Sequence, residues 1–279
     1  MRLLLLTRRP TGYTARRLRE AADGLGHRIL ALDPAGLGAH LGAGRPTLVR
    51  GNRPVPAVDG AHLRPGGRTA EHGLLLLRVL ETAGVPCLNS TVALGQLRPR
   101  TLALAQLGLS RIPVLRGATV RRGRELEDAV AAAGGLPVVL HAESRDGRIS
   151  RVGASSLAAA RAALSVLLGV EQTVMVQAGA PRMTRVLVVG GRARGAVTRL
   201  ATGRMRYVAE VGPETQLAAR AARALGLDVA GVDVAALREG PAVASVTASP
   251  ALEALEALGG VDLATPMVRA WAARVRAGA

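Results

Sequence analysis

The chain has 279 residues, enough for two domains at roughly 100–200 residues each, with one or three also open. It is 49% hydrophobic and 20% charged, which excludes a disordered chain, and its lone cysteine, Cys87, excludes an intrachain disulfide and a thiolate zinc cluster. The net charge is +17, every one of the 37 basic residues is arginine, and only Tyr13, Tyr207 and Trp271 are aromatic. Polyanions are therefore the favoured partners, but no platform exists for stacking single-stranded nucleic acid.

No run of residues reaches the ~18 uncharged apolar positions of a membrane span. Residues 156–170 come closest, and Arg161 interrupts them. Residues 1–6 are too short for a signal-peptide core. The expectation is a soluble, cytoplasmic protein with no membrane partner.

Residues 2–6 form an apolar run ahead of Thr7-Arg8-Arg9-Pro10 and read as a buried parallel strand. Residues 14–25 have helical spacing, with Thr14 as the predicted N-cap and Gly26 as the stop. Residues 27–32 read as a second strand, which makes a half-Rossmann-like opening. Residues 36–60 read as loop, 69–83 as a helix closed by Gly84, and 85–88 as a short strand. Residues 91–107 read as helical, with a turn or kink at Pro99 and a stop at Gly108. Strands are predicted at 113–116 and 137–141 around a helix at 123–133, and 143–152 reads as polar turn. A helix over 157–168 and a strand over 172–177 follow. Residues 184–189 and 192–200 straddle Gly190-Gly191, a hairpin signal. Residues 214–225 read as a helix with Gly226 at C′. Strands at 229–234 and 242–248 pair around the turn 238–241, and a helix over 265–277 closes the chain.

Residues 218–252 read AARAARALGLDVAGVDVAALREGPAVASVTASPAL. In its helix, LGLDVAGVD strand entry, Gly-Pro turn and ASPAL exit, this stretch resembles the RimK-type ATP-grasp ligases, which add glutamate to a ribosomal protein's tail. Leu187-Val188-Val189-Gly190 resembles the family's central hairpin. Val174-Met175-Val176-Gln177 resembles the strand before the adenine hinge, and 137–141 the lysine-bearing strand. The opening strand, Thr14-Ala15-Arg16-Arg17-Leu18 and 85–90 resemble the N-terminal domain. The resemblance implies an α/β (α+β) ATP-grasp fold. Its pre-ATP-grasp half-Rossmann domain would span 1–92. Its ATP-grasp domain would span 93–279, with a lid-bearing subdomain at 93–178 and a C-terminal subdomain at 179–279. It also implies ATP and Mg²⁺ as cofactors and an acyl-phosphate intermediate attacked by an amine.

The same resemblance assigns the site. The family's first nucleotide-binding lysine falls on Arg98, which keeps the charge with different geometry, or is simply an exposed helix arginine. The second falls on His141, mostly neutral at pH 7 and read as a buried, backbone-bonded histidine. The glycine-rich lid becomes residues 143–151, where only Gly147 survives; Arg145, Arg148 and Arg151 would attract a polyanion there, or the loop is a solvated hairpin tip. Gln177 stands beside the adenine hinge, whose acid has become Ala178, and Met183 replaces another acid. Arg185 and Arg199 match basic family positions and are the candidate catalytic residues. Residues 201–212 are a shortened substrate loop retaining Arg204 and Arg206. Of the Mg²⁺ ligands only Asp233 remains; the other two positions are Ser245 and Thr247, which share a strand face but bring no charge. Asp233 alternatively pairs with Arg185 or Arg199. The histidines show no zinc spacing, and Cys87, in an apolar strand end, reads as buried.

Three readings follow. The losses gather at the site while the scaffold turns persist, which points to a degenerate member that binds nucleotide or polyanion, or partners an active paralogue or an acidic protein tail. The second is an active carboxylate–amine ligase with relocated ligands, Arg98, Arg145 or Arg148 on phosphate and Asp233 with Glu143 or Glu210 on Mg²⁺. The third is a basic module for RNA or the ribosome. A homo-oligomer is open in all three.

Overall fold

Leu3, Leu4, Leu5 and Leu6 are wholly buried, as expected of a strand covered on both faces. In the computed structural model, which describes all residues except 43, 67–69, 144–148, 170–172, 181, 201 and 279, they form β1 (Arg2–Thr7). Helix α1 (Tyr13–Gly24) follows; its N-cap is Gly12 and no side chain caps it, so Thr14 lies inside the helix rather than at its cap. After β2 (Arg28–Leu32), the stretch read as loop folds into a small antiparallel sheet of β3 (Gly38–His40), β4 (Thr47–Arg50) and β5 (Arg53–Pro54). Then come β6 (Gly60–Arg64), α2 (Ala70–Thr82) and β7 (Cys87–Leu88). The first sheet is parallel, in the order β2-β1-β6-β7.

The helix expected over 91–107 is two helices, α3 (Thr91–Gly95) and α4 (Arg100–Leu109), because Pro99 serves as the N-cap of the second. Gly108 does not stop α4, which ends one residue later. Residues 113–116 are not a strand: Val114 makes a lone bridge to Val243, and β8 (Gly117–Val120) begins where pairing with the later strand becomes possible. A 3-10 turn, Gly123–Glu125, leads into α5 (Leu126–Ala132) and β9 (Val138–Glu143). Of the predicted polar turn over 143–152, Glu143 ends β9 and 149–152 belong to strand β10 (Ile149–Ala154). With α6 (Leu157–Leu168) and β11 (Val174–Ala178), the second sheet is antiparallel, ordered β10-β9-β11-β8.

β12 (Met183–Val189) and β13 (Arg192–Arg199) form the predicted hairpin, with Gly190 and Gly191 at φ 58° and 70°, the left-handed region a two-residue turn demands. β14 (Met205–Val208), α7 (Pro213–Ala224), β15 (Val229–Leu237) and β16 (Gly240–Thr247) complete an antiparallel sheet ordered β14-β13-β12-β15-β16. A helix absent from the sequence reading, α8 (Glu253–Gly259), precedes α9 (Ala264–Gly278). No helix among the described residues is long and apolar enough to cross a membrane.

The first and third sheets share a core. Leu3, Leu5 and Leu88 pack in one cluster with Leu187, Val197, Val229, Met267 and Trp271. Buried Asn89, at φ 59°, donates from Nδ2 to the Val229 carbonyl at 2.8 Å and accepts from the Val229 N–H at 2.9 Å, filling both backbone groups of one strand residue. Glu256 of α8, 7% exposed, accepts from the Tyr13 hydroxyl, Arg17 Nε and the Leu263 N–H at 2.8, 3.0 and 2.9 Å. The second sheet and its helices α5 and α6 have a core of their own, built from residues between Ala118 and Val176.

Candidate functional site

A cleft of about 360 Å³ opens where the C-terminal end of β6, the start of α4, β9, β10 and the middle of the third sheet converge. Four arginines, Arg98, Arg100, Arg151 and Arg185, line it with two carboxylates, Glu143 and Asp233.

Sheet register creates the floor. Arg185 on β12 faces Asp233 on β15, which faces Ser245 on β16. Arg185 grips both carboxylate oxygens, Nε to Oδ1 at 2.7 Å and Nη2 to Oδ2 at 2.9 Å, and Ser245 Oγ donates to Oδ2 at 2.7 Å. Of the two partners expected for Asp233, Arg185 is therefore the one engaged. Burial alone would raise the Asp233 carboxyl. The Arg185 hydrogen bonds and charge, with Ser245 and Arg100, outweigh it and hold the carboxyl below the ordinary value.

Glu143 closes the roof. It accepts from Arg98 Nε at 2.9 Å and from the Arg100 backbone N–H at 3.1 Å, so it clasps both sides of Pro99. Arg100 turns inward, where Nη2 donates to Gln177 Oε1 at 3.1 Å and to the Ala244 carbonyl at 2.6 Å, while Nε finds no partner among the described residues. Burial pushes its guanidinium down to about 10, still charged at neutral pH.

Those residues singled out from the sequence that are described fall as follows. Arg98 and Arg185 line the cleft. His141 is 5% exposed, and burial with the charges of Arg100 and Arg151 pushes its imidazole down to about 3. It is neutral at pH 7 and supplies no phosphate cation; it is buried as read, but among the described residues its Nδ1 has no partner, where a backbone bond was expected. Gln177 is 2% exposed, and its amide also donates to the Ala244 carbonyl at 3.2 Å, so it ties the second sheet to β16. Arg199 is exposed at the end of β13, on the Arg185 face but outside the cleft lining. Gly147, Arg145 and Arg148 lie outside the described residues. Cys87 is buried, and burial pushes its thiol up to about 12, which makes it inert. Sequence reasoning missed Arg100.

The donor set does not fit Mg²⁺. Of the three positions Asp233, Ser245 and Thr247 only Asp233 is a carboxylate, and it already accepts three hydrogen bonds; the cleft's other carboxylate, Glu143, is taken up by Arg98 and the Arg100 N–H, and the Thr247 hydroxyl accepts from the Ser249 N–H at 3.1 Å. Among the described residues no group of three His, Cys, Asp or Glu gathers elsewhere. Four guanidiniums against two paired carboxylates do suit a phosphate group.

A pre-ATP-grasp sheet followed by two sheets facing each other across a cleft defines an ATP-grasp protein. Residues 1–94 match the RimK PreATP-grasp domain and 135–271 the RimK-like ATP-grasp domain, and the chain belongs to the RimK-like ATP-grasp family. It is 32% identical to the "Probable alpha-L-glutamate ligase" of Klebsiella pneumoniae (strain 342), over 98% of this chain and 96% of that protein. It is 30% identical to the ribosomal protein bS6–L-glutamate ligase of Escherichia coli O6:H1, over 96% and 95%. The RimK domain ATP-grasp protein of Sphaerobacter thermophilus has a TM-score of 0.75 with it at 26% identity, covering 98% of this chain and all of that one. The ATP-grasp ligase PsnB, solved with minimal precursor, Mg and ADP, shares the fold at a TM-score of 0.73 and 18% identity, over 99% and 98%.

Proposed function

We propose that this chain is a RimK-like protein that has lost ligase turnover and keeps its cleft as a binding site for phosphate-bearing ligands, without a divalent cation. The supporting observation is the face of β16: Ser245 and Thr247 stand where the resemblance puts the other two metal ligands, and Ser245 Oγ donates at 2.7 Å to the one carboxylate left there, Asp233. Arg98, Arg100 and Arg151 would meet the ligand's charge, and His141 and Gln177 hold the wall they rest on. In this reading the three-part division at 92/93 and 178/179 stands, and the protein meets its partners, an acidic protein tail or an active paralogue, as a scaffold.

A competing reading, an active glutamate-type ligase, has in its favour the full-length similarity to proteins named as such. Calorimetric titration with ATP, once in excess Mg²⁺ and once in EDTA, separates them. The expected result is equal affinity in both, with no phosphate release when glutamate and an acidic acceptor peptide are added. Tightening by about tenfold in Mg²⁺, or acceptor-dependent phosphate release, overturns the scaffold reading.

A further inference from the structure

β2 is the outer strand of the parallel sheet, and among the described residues no strand pairs with its far edge. After Arg28 the strand is wholly apolar, and Ile29, Leu30, Ala31 and Leu32 are each only partly buried. Open sheet edges are ordinarily blunted by a charge, a proline or a bulge. Apart from Arg28 at its start β2 has none of these, and its register with β1 runs unbroken.

The phase of the backbone shows what this edge offers. The Arg28 N–H bonds inward, to the Met1 carbonyl at 2.8 Å. Alternate residues of a strand turn their backbone groups to the same neighbour. Arg28, Leu30 and Leu32 therefore serve β1, while Ile29 and Ala31 present both N–H and carbonyl outward. The His27 carbonyl and the Asp33 N–H continue that phase at the two ends. None of these outward groups has a partner among the described residues.

A second copy of the same strand, turned antiparallel about a two-fold axis at Leu30, satisfies all of them. Ile29 and the second copy's Ala31 exchange N–H and carbonyl, and the Asp33 N–H reaches the second copy's His27 carbonyl. Moving the axis by one residue either way leaves some of them unpaired. Charge agrees with the backbone: the antiparallel arrangement sets Arg28 beside the second copy's Asp33, where a parallel one would set arginine on arginine. We infer that two copies of this chain associate edge to edge through β2, joining their four-stranded parallel sheets into one continuous sheet. The contact is short, so the dimer is reversible, with a Kd on the order of 10 μM. The inference does not rest on the proposal for the cleft.

The test is analytical ultracentrifugation of the full chain from about 1 μM to about 1 mM, in salt that screens the repulsion between two +17 chains. A monomer–dimer equilibrium is expected. Ala31→Pro removes an outward donor and leaves the bonds to β1 in place, and it should weaken the dimer by about tenfold or more. Cysteines read the register. The axis puts Leu30 opposite itself in a non-hydrogen-bonded pair with Cα atoms about 4.5 Å apart, so Leu30→Cys should oxidise to a covalent dimer. The two Arg28 Cα atoms would lie about 13 Å or more apart, so Arg28→Cys should not. The native Cys87 is buried and does not compete. Where Ala31→Pro fails to fold, the two cysteine variants decide. A monomer at every concentration overturns the inference and leaves the edge to a strand of another protein. A dimer that folded Ala31→Pro leaves intact, or cross-linking of Arg28→Cys as readily as Leu30→Cys, overturns it too.

Discussion

A neutral imidazole is easily buried and an imidazolium is not, and the chain relies on this twice. Burial first, then the Arg64 charge, pushes His62 down to about 4 against its bond to the Leu88 carbonyl; burial, Arg100 and Arg151 push His141 down to about 3. Above the ordinary value of 6.5 both are neutral folded and unfolded, so neither affects stability. Below 6.5 the unfolded chain takes up protons that the folded chain refuses, so stability falls with pH until the folded values are reached. Each histidine should contribute up to about 1.4 kcal/mol per pH unit in that window. Urea unfolding of His141→Gln between pH 7 and pH 5 should therefore lose less stability than the parent does; an equal loss would mean His141 is not held neutral. The Arg185–Asp233 pair was legible in the sequence because neighbouring strands place such residues opposite each other. Arg100 was not, because an arginine in a helical run ordinarily faces water, and only the Gln177 and Ala244 acceptors on other elements turn it inward.

Between elements, the strongest polar junction joins α1 to α8 through Glu256. Its carboxylate serves Tyr13, Arg17 and the Leu263 N–H from a nearly closed position, so removal leaves three donors without an acceptor. Glu256→Ala should lower the unfolding free energy by about 2–4 kcal/mol, read from the urea midpoint. Glu127→Gln, whose pair with Arg161 is exposed at both ends, should shift the midpoint far less. The elements legible in the sequence were those whose signal is local: the leucine run of β1, the Gly190-Gly191 turn, and α6 with its Ser156 cap, whose hydroxyl accepts from the Ala159 N–H. The ones missed depend on distant partners. β8 starts at Gly117 because β11 supplies its ladder there, β3 to β5 are two to four residues long and exist only by pairing, and α8 is short and held by α1.

At the scale of the whole molecule, a net charge of +17 should draw polyanions to the surface at low salt. Binding to a single-stranded RNA homopolymer should weaken steeply with salt, by about 0.7 log units per log unit of salt for each phosphate neutralised. A flat dependence would remove nucleic acid from the list of partners. The fold class was legible from the order of elements and from the stretch after Ala218; the basic cleft was not, since it is assembled from segments far apart in the chain. One further consequence comes from the distribution of cores. The first and third sheets are fused through Trp271 and the Asn89 junction, while one face of the second sheet closes with α5 and α6 on an interior of its own. Thermal breathing should thus take the form of one antiparallel layer rocking as a rigid paddle on a fixed two-sheet body. The layer's ties to that body include the Gln177 amide, which donates to the Ala244 carbonyl at 3.2 Å, and Met175, packed with Leu217, Val232 and Val234. Arg100, bonded to Gln177 on the paddle and Ala244 on the body, is then the spring that sets the width of the gap.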